Sequence, residues 1–266
     1  MLFSDLTLSR RLERAEGHGC VQFAAARRKL FPESGSCWMK CAGADVVFDG
    51  VDSPVTQTFG LGLFESLTGA ALDEIERFFL DRGAPVHHEV SPLAGVPAFD
   101  LLASRGYRPC ELSSMMYRPV EVPSSEAPAE ISVRLIGSDE AQLWADISAQ
   151  GWTHERPELT DFMRQFGALL AVREDSPCFL AEIDGQPAAA GALLIHGGVA
   201  LFAGAATIPQ FRRRGLQAAL VQARMRCAFD HGCDLAVMAA EAGGESQRNA
   251  ERKGFHIAYT RTKWRL

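Results

Sequence analysis

The second half of the chain alternates between two hydrophobic periods. Residues 131–135 (Ile-Ser-Val-Arg-Leu) alternate apolar and polar, as a half-buried strand does. Residues 139–150 read as a helix with Ser138 or Asp139 available as its cap. Pro157 opens a second helix, with Leu159, Phe162, Met163 and Phe166 at helical spacing. Residues 178–183 and 188–195 are strand-like and flank Asp184-Gly185, a hairpin signal. His196-Gly197-Gly198 turns the chain into a further apolar run at 199–207. Residues 216–229 then switch back to helical period, with Leu216, Ala219, Leu220, Ala223 and Cys227 on one face as a core stripe. Residues 235–239 form a buried strand.

Between the run at 199–207 and the helix from 216 lies Phe211-Arg212-Arg213-Arg214-Gly215-Leu216. A basic, glycine-containing turn that opens a helix is suited to an anion. The first helical amides have no internal partner and the helix dipole is positive there. Gly215 lacks a Cβ, so the backbone can approach a bulky diphosphate. The arginines add forked donors for its oxygens.

From Leu201 to the C-terminus the chain resembles the GNAT superfamily of acyl-CoA N-acyltransferases. Arg212-Arg213-Arg214-Gly215-Leu216-Gln217 matches that family's signature of Gln or Arg, two residues, Gly, one residue, Gly or Ala, except that Gln217 stands at the sixth position. Ala206-Thr207-Ile208-Pro209 precedes it, and Ser246-Gln247-Arg248-Asn249-Ala250-Glu251-Arg252-Lys253-Gly254-Phe255 resembles the family's last helix with its Gly-Phe pair, before a final strand at 256–265.

The resemblance implies acetyl-CoA as acyl donor and an amine-bearing acceptor as partner. The cofactor-binding set would be Ala206, Thr207, Ile208, Arg212, Arg213, Arg214, Gly215, Leu216, Gln217 and Ala218, joined by Ser246 and Asn249 facing the thioester end or the pantetheine arm. The position where these enzymes often carry a tyrosine acid is Ala250, so Ser246, Asn249 or Tyr259 would have to assist. For the general base, Glu241 at the end of an apolar strand comes first and His154, beside Trp152 in the loop after the first helix, comes second. Ser246 completes the catalytic set.

Pro119, Pro123 and Pro128, with small polar residues between them, mark a linker that neither a helix nor a central strand sustains. The first part carries a faint copy of the second. Phe79-Leu80-Asp81-Arg82-Gly83 lines up with Ala228-Phe229-Asp230-His231-Gly232, and Leu101 to Gly106-Tyr107 with Asn249 to Gly254-Phe255, followed by strand-like runs at 86–90 and 111–118. At the positions of Arg214 and Gly215 the copy has Glu65 and Ser66, which repel and crowd a diphosphate. The expected architecture is therefore α/β with a mixed sheet flanked by helices: two tandem GNAT-like domains, a degenerate one at 1–120 without a cofactor site, a linker at 121–129, and an acetyltransferase domain at 130–266.

Composition agrees. The 266 residues are 47% hydrophobic, enough for a sizeable core. A net charge of −6, shared evenly by the halves, argues against a nucleic-acid partner. No apolar run is long enough for a membrane span, and the first residues lack a signal-peptide core. Seven cysteines without a Cys-x-x-Cys read as reduced thiols of a cytoplasmic protein. His87 and Glu89 have zinc-deaminase spacing, but Cys110 has no second cysteine beside it, so no metal is expected. The leading function is an N-acetyltransferase acting on a primary amine. The alternative is a non-catalytic acyl-CoA-binding or regulatory protein. A dinucleotide or P-loop module is disfavoured, since neither glycine pattern occurs.

Overall fold

The computed structural model describes residues 3–122, 128–137, 139–154, 157–173 and 175–266. Ser138, one of the two expected caps, and positions 123–127 of the expected linker lie outside this set. The chain folds as a mixed α/β protein in two compact units, one made of Met1–Arg118 and Val237–Leu266, the other of Pro119–Ala236.

The first unit opens with α1 (Leu6–Leu30), started by the Asp5 side chain, which accepts from the Leu8 amide at 2.9 Å. Its strands β1 (Cys37–Cys41), β2 (Ala44–Phe48) and β3 (Gln57–Phe59) form an antiparallel meander. Next come α2 (Gly69–Leu80), β4 (His87–Val90), α3 (Val96–Ser104) and β5 (Arg108–Pro119). Val46, Leu72, Ile75, Phe79, Val90 and Leu102 make the apolar core. On the other side of the sheet lie buried polar side chains, Glu13 and Asp45 among them. There α1 approaches β2 so closely that a Cβ on Gly17 would meet the Asp45 carboxylate at 2.8 Å.

The second unit holds β6 (Ile131–Leu135), α4 (Ala141–Trp152), α5 (Thr160–Ala171), β7 (Cys178–Ile183), β8 (Gln186–His196), β9 (Val199–Thr207) and α6 (Leu216–Asp230). Strands β6 to β9 pair in chain order, all antiparallel. Asp184 and Gly185 both take positive φ, as do Gly197 and Gly198, which gives the twist a two-residue hairpin needs. Trp144 is fully buried and its indole donates to the Phe179 carbonyl at 3.0 Å. Pro157 starts a single 3-10 turn, and the α-helix begins only at Thr160.

The chain crosses back to the first unit within β10 (Leu235–Glu241), followed by α7 (Glu245–Glu251) and β11 (His256–Arg265). Here the structure differs from the expected division at 130–266. Strand β11 lies between β4 and β5, antiparallel to both, so the segment expected to close the second domain completes the sheet of the first unit.

The core stripe on α6 is also rotated from the expected one. Leu216, Ala219 and Leu220 are buried, but the stripe continues through Arg224, Met225 and Ala228, leaving Ala223 and Cys227 half-buried. The row 216, 220, 224, 228 follows helical spacing; an arginine in it hid the row from an apolar count.

Candidate functional site

Strand β9 does not run straight into the basic turn. Ala192 faces Ala203 and Ala190 faces Ala206, so Gly204 and Ala205 together stand opposite Gly191 alone. This is a β-bulge, and Gly204 carries it at φ +60°. Bulged residues leave the regular ladder with β8. Beyond the strand, Pro209–Phe211 makes one 3-10 turn, and Arg212 is extended (φ −61°, ψ 155°). Arg213 is left-handed at φ +65° and Gly215 at φ +89°. Alternation of this kind turns successive amides toward one side and makes a concave donor surface for anions. Gly215 is the N-cap of α6 and offers no side-chain cap; the Ala218 and Ala219 amides bond its carbonyl. Among the described residues, the five amides of 213–217 find no acceptor. A free, forward-pointing set of donors at a helix start is suited to an anion.

The three arginines differ in what they do. Arg212 is anchored: its Nη2 donates to the Gly151 carbonyl at 3.1 Å and its Nε to the Thr207 carbonyl at 3.4 Å. Arg214 stands 3.8 Å from Asp184 in an exposed ion pair, a contact that contributes little. Arg213 is exposed and its side chain is the one of the three with no partner among the described residues. Gln217 donates to the Thr207 hydroxyl at 2.8 Å, so its side chain braces β9 against α6. Ala206, Thr207, Ile208 and Leu216 are buried and act through backbone and packing. Ala218 is half-buried in the first turn of the helix.

Helix α4 ends against the same place. A Cβ on Gly151 would lie 2.6 Å from the Ala206 Cβ and 2.9 Å from the Thr207 amide, so glycine alone permits this approach. The next residues, Trp152 (54% exposed) and His154 (exposed), therefore leave α4 beside the end of β9. The second unit thus assembles the turn, the bulged strand and the loop bearing His154.

Glu241, Ser246 and Asn249 belong to the first unit. Glu241 is exposed at the end of β10, its carbonyl accepting from the Gly244 amide at 3.0 Å. Ser246 and Asn249 are exposed on α7, and Asn249 accepts from Arg252 at 3.2 Å. Ala250, at the expected tyrosine position, is buried. Tyr259 is buried as well, with its hydroxyl committed to Glu13. It is therefore taken up by the core of the first unit and does not serve the role the sequence suggested. Glu89 of the His-x-Glu pair lies 3.0 Å from Arg261 and 3.4 Å from Lys263.

A comparison of the sequence with protein-family models matches residues 141–255 to the Acetyltransferase (GNAT) family. The chain carries a GNAT-family domain. The match starts with α4 and runs through the basic turn to Phe255 of the Gly-Phe pair. None of the curated proteins matches the chain's sequence. Solved structures share its fold. A GCN5-related N-acetyltransferase from Kribbella flavida is 19% identical, with a TM-score of 0.65 over 92% of this chain and 95% of that one. A tandem GNAT protein from the clavulanic acid biosynthesis pathway is 15% identical, with a TM-score of 0.59 over 84% and 78%. A GCN5-related N-acetyltransferase from Sphaerobacter thermophilus is 18% identical, with a TM-score of 0.54 over 79% and 71%. The matched segment includes the turn whose amides stand free at the start of α6.

Among the described residues no cluster of His, Cys, Asp and Glu is arranged to hold a metal, and no helix is long and apolar enough to cross a membrane.

Proposed function

We propose that the protein moves an acetyl group from acetyl-CoA to a primary amine. The observation that carries this reading is the run of five unpartnered amides at 213–217 around Gly215, in a segment matched to an acetyltransferase family. In this reading those amides and Arg213 hold the diphosphate, and Ala206, Thr207 and Ile208 carry the backbone along which the pantetheine amides pair, as a peptide strand would. Ser246 and Asn249 serve the arm or the thioester end.

The chemistry requires a neutral amine. An alkyl amine of pKa ~10.4 costs roughly 4–5 kcal/mol to deprotonate at pH 7, so a base must take its proton. Glu241 is proposed for this, with His154 as the second candidate. Attack on the thioester carbon forms the C–N bond and places negative charge on the carbonyl oxygen. Backbone donors of bulged β9 are suited to receive that charge. Collapse breaks the C–S bond. With alanine at position 250 no tyrosine protonates the departing sulfur there, but a thiol of pKa ~8.5 leaves as thiolate near neutral pH. Ser246 is proposed to assist by hydrogen bond.

The segment 1–120 is proposed to be a degenerate tandem copy without a cofactor site. In support, its α2 is already capped by Thr68, whose hydroxyl accepts from the Ala71 amide at 3.2 Å, and the preceding loop carries Glu65 and Ser66. Cytoplasmic residence is proposed from the odd set of cysteines without a Cys-x-x-Cys.

The second reading, a non-catalytic acyl-CoA binder, draws on the buried alanine at 250. Thiol release from acetyl-CoA, followed with a panel of amines, separates the two: turnover on one amine class supports the enzyme, and binding without release on every amine supports the binder. Glu241→Gln is expected to lower turnover far more than acetyl-CoA affinity and to remove the acidic limb of the pH–rate profile. An unaltered profile would exclude Glu241 as the base.

A further inference from the structure

The least expected group in the second unit is Arg224. It lies in the core row of α6 and is 2% exposed. Its Nε donates to the Leu220 carbonyl at 3.1 Å and its Nη1 to the Ala192 carbonyl at 3.4 Å. The guanidinium carbon stands 4.7 Å from the centre of the Phe202 ring. No carboxylate pairs with it among the described residues; burial pulls its pKa down to about 9 and no neighbouring charge offsets this. The other buried arginines are ion-paired, Arg261 with Glu13 and Glu89 and Arg173 with Asp175. An arginine stays protonated in proteins, so this is a permanent buried cation held by carbonyl dipoles and a ring face. A buried charge without a counter-charge opposes folding, and an apolar side chain of similar volume would remove that cost. Stability therefore gives no reason for the charge.

Its position does. A Cβ on Gly191 would lie 3.3 Å from the guanidinium, so the charge sits directly against Gly191. Gly191 is the single β8 residue opposite Gly204 and Ala205, the bulged pair of β9. One strand spacing, about 5 Å, separates such partners. Inside a dry core a charge at that remove is weakly screened.

We propose that Arg224 is a fixed positive charge set beside the β8–β9 bulge to stabilise the negative charge that develops on the thioester oxygen during acyl transfer. This inference rests on the acetyltransferase reading and deepens it. Arg224 acts through space as a positioning residue and exchanges no proton. The electron pair of the carbonyl moves to oxygen as the C–N bond forms, and returns as the C–S bond breaks. The guanidinium favours the intermediate stage without touching the substrate. Phe202 and the two carbonyls keep it in one place, so no reorganisation is needed when the charge appears.

The test compares Arg224→Met, which fills the space without charge, with Arg224→Lys, which keeps the charge. For the methionine variant we expect a thermal midpoint equal to or above wild type, acetyl-CoA affinity within about twofold, and kcat lowered at least ~10-fold, equivalent to ~1.4 kcal/mol of barrier. The lysine variant recovers part of that loss. If Arg224→Met fails to fold, Arg224→Gln takes its place. A second measurement needs no acceptor: the carbonyl stretch of bound acetyl-CoA lies at lower frequency in wild type than in the uncharged variant. Equal kcat and equal carbonyl frequencies in wild type and the uncharged variant would overturn the inference while leaving the acetyltransferase reading in place. A wild type that binds acetyl-CoA but releases no thiol with any amine would overturn that reading and this inference with it.

Discussion

The hydroxyl of Tyr259 donates a 2.8 Å hydrogen bond to the carboxylate of Glu13, a partner 246 residues away in sequence, and both side chains are buried. Two residues on, Arg261 lies 3.4 Å from Glu13 and 3.0 Å from Glu89, pairs with Glu16, and donates to the Ser113 hydroxyl at 2.9 Å. The final strand is thus fastened to α1 by a buried polar cluster in which carboxylates outnumber cations. Burial, opposed by Arg261 and reinforced by Glu16, pushes the Glu13 carboxyl up to about 7.

That shift sets a pH dependence. A carboxyl whose folded pKa exceeds its unfolded value of 4.5 contributes stability that is fully present below 4.5 and lost as pH rises through about 7. His88 works in the opposite sense. It is held neutral by burial with its pKa lowered to about 3, so its contribution is present above 6.5 and lost as pH falls toward 3. Comparison with Glu13→Gln isolates the first effect. Thermal midpoints measured between pH 4.5 and 7.5 should show wild type losing ground to the variant as pH rises. A constant difference across that range would show that the folded protein does not raise the Glu13 pKa.

Gly215→Glu should weaken acetyl-CoA binding more than tenfold in calorimetry, since it adds a negative charge among the free amides and a side chain at φ +89°. The left-handed backbone should also cost about 1–2 kcal/mol of stability. Unchanged affinity in a folded variant would remove the diphosphate from this turn.

How much of this could be read from residues alone follows from how local each signal is. Asp184-Gly185, Gly197-Gly198 and Gly215 announced their turns because a positive φ is a property of one or two residues. The strand at 256–265 was legible as a strand, but its place between β4 and β5 was not, because strand neighbours are chosen by long-range pairing. Helix α1 was missed altogether: its buried face includes Ser9, Glu13, Gly17 and Gly19, which blur the apolar period. Arg224 escaped for the same reason, a charged residue at a core position. What the sequence could not show was which polar residues had partners waiting far along the chain.

Gly151→Ala should strain the contact between α4 and the end of β9, where the new methyl would meet the Ala206 Cβ at 2.6 Å. Overpacking of this kind costs about 1–3 kcal/mol. A lowered thermal midpoint together with weaker acetyl-CoA binding is expected. A variant as stable as wild type would mean that α4 and β9 separate freely.

Arg213→Gly should divide stability from binding. It releases a left-handed arginine at φ +65°, a gain of about 1 kcal/mol, while removing a cation from the turn. The expected variant melts higher, binds acetyl-CoA more weakly, and shows a shallower dependence of affinity on salt. Equal affinity and salt dependence would assign Arg213 no part in holding the anion.

The most direct measurement is a crystal structure of the protein with acetyl-CoA. The account predicts diphosphate oxygens within hydrogen-bonding distance of the amides of 213–217, at the start of α6. A diphosphate bound elsewhere, with those amides still unpartnered, would contradict it.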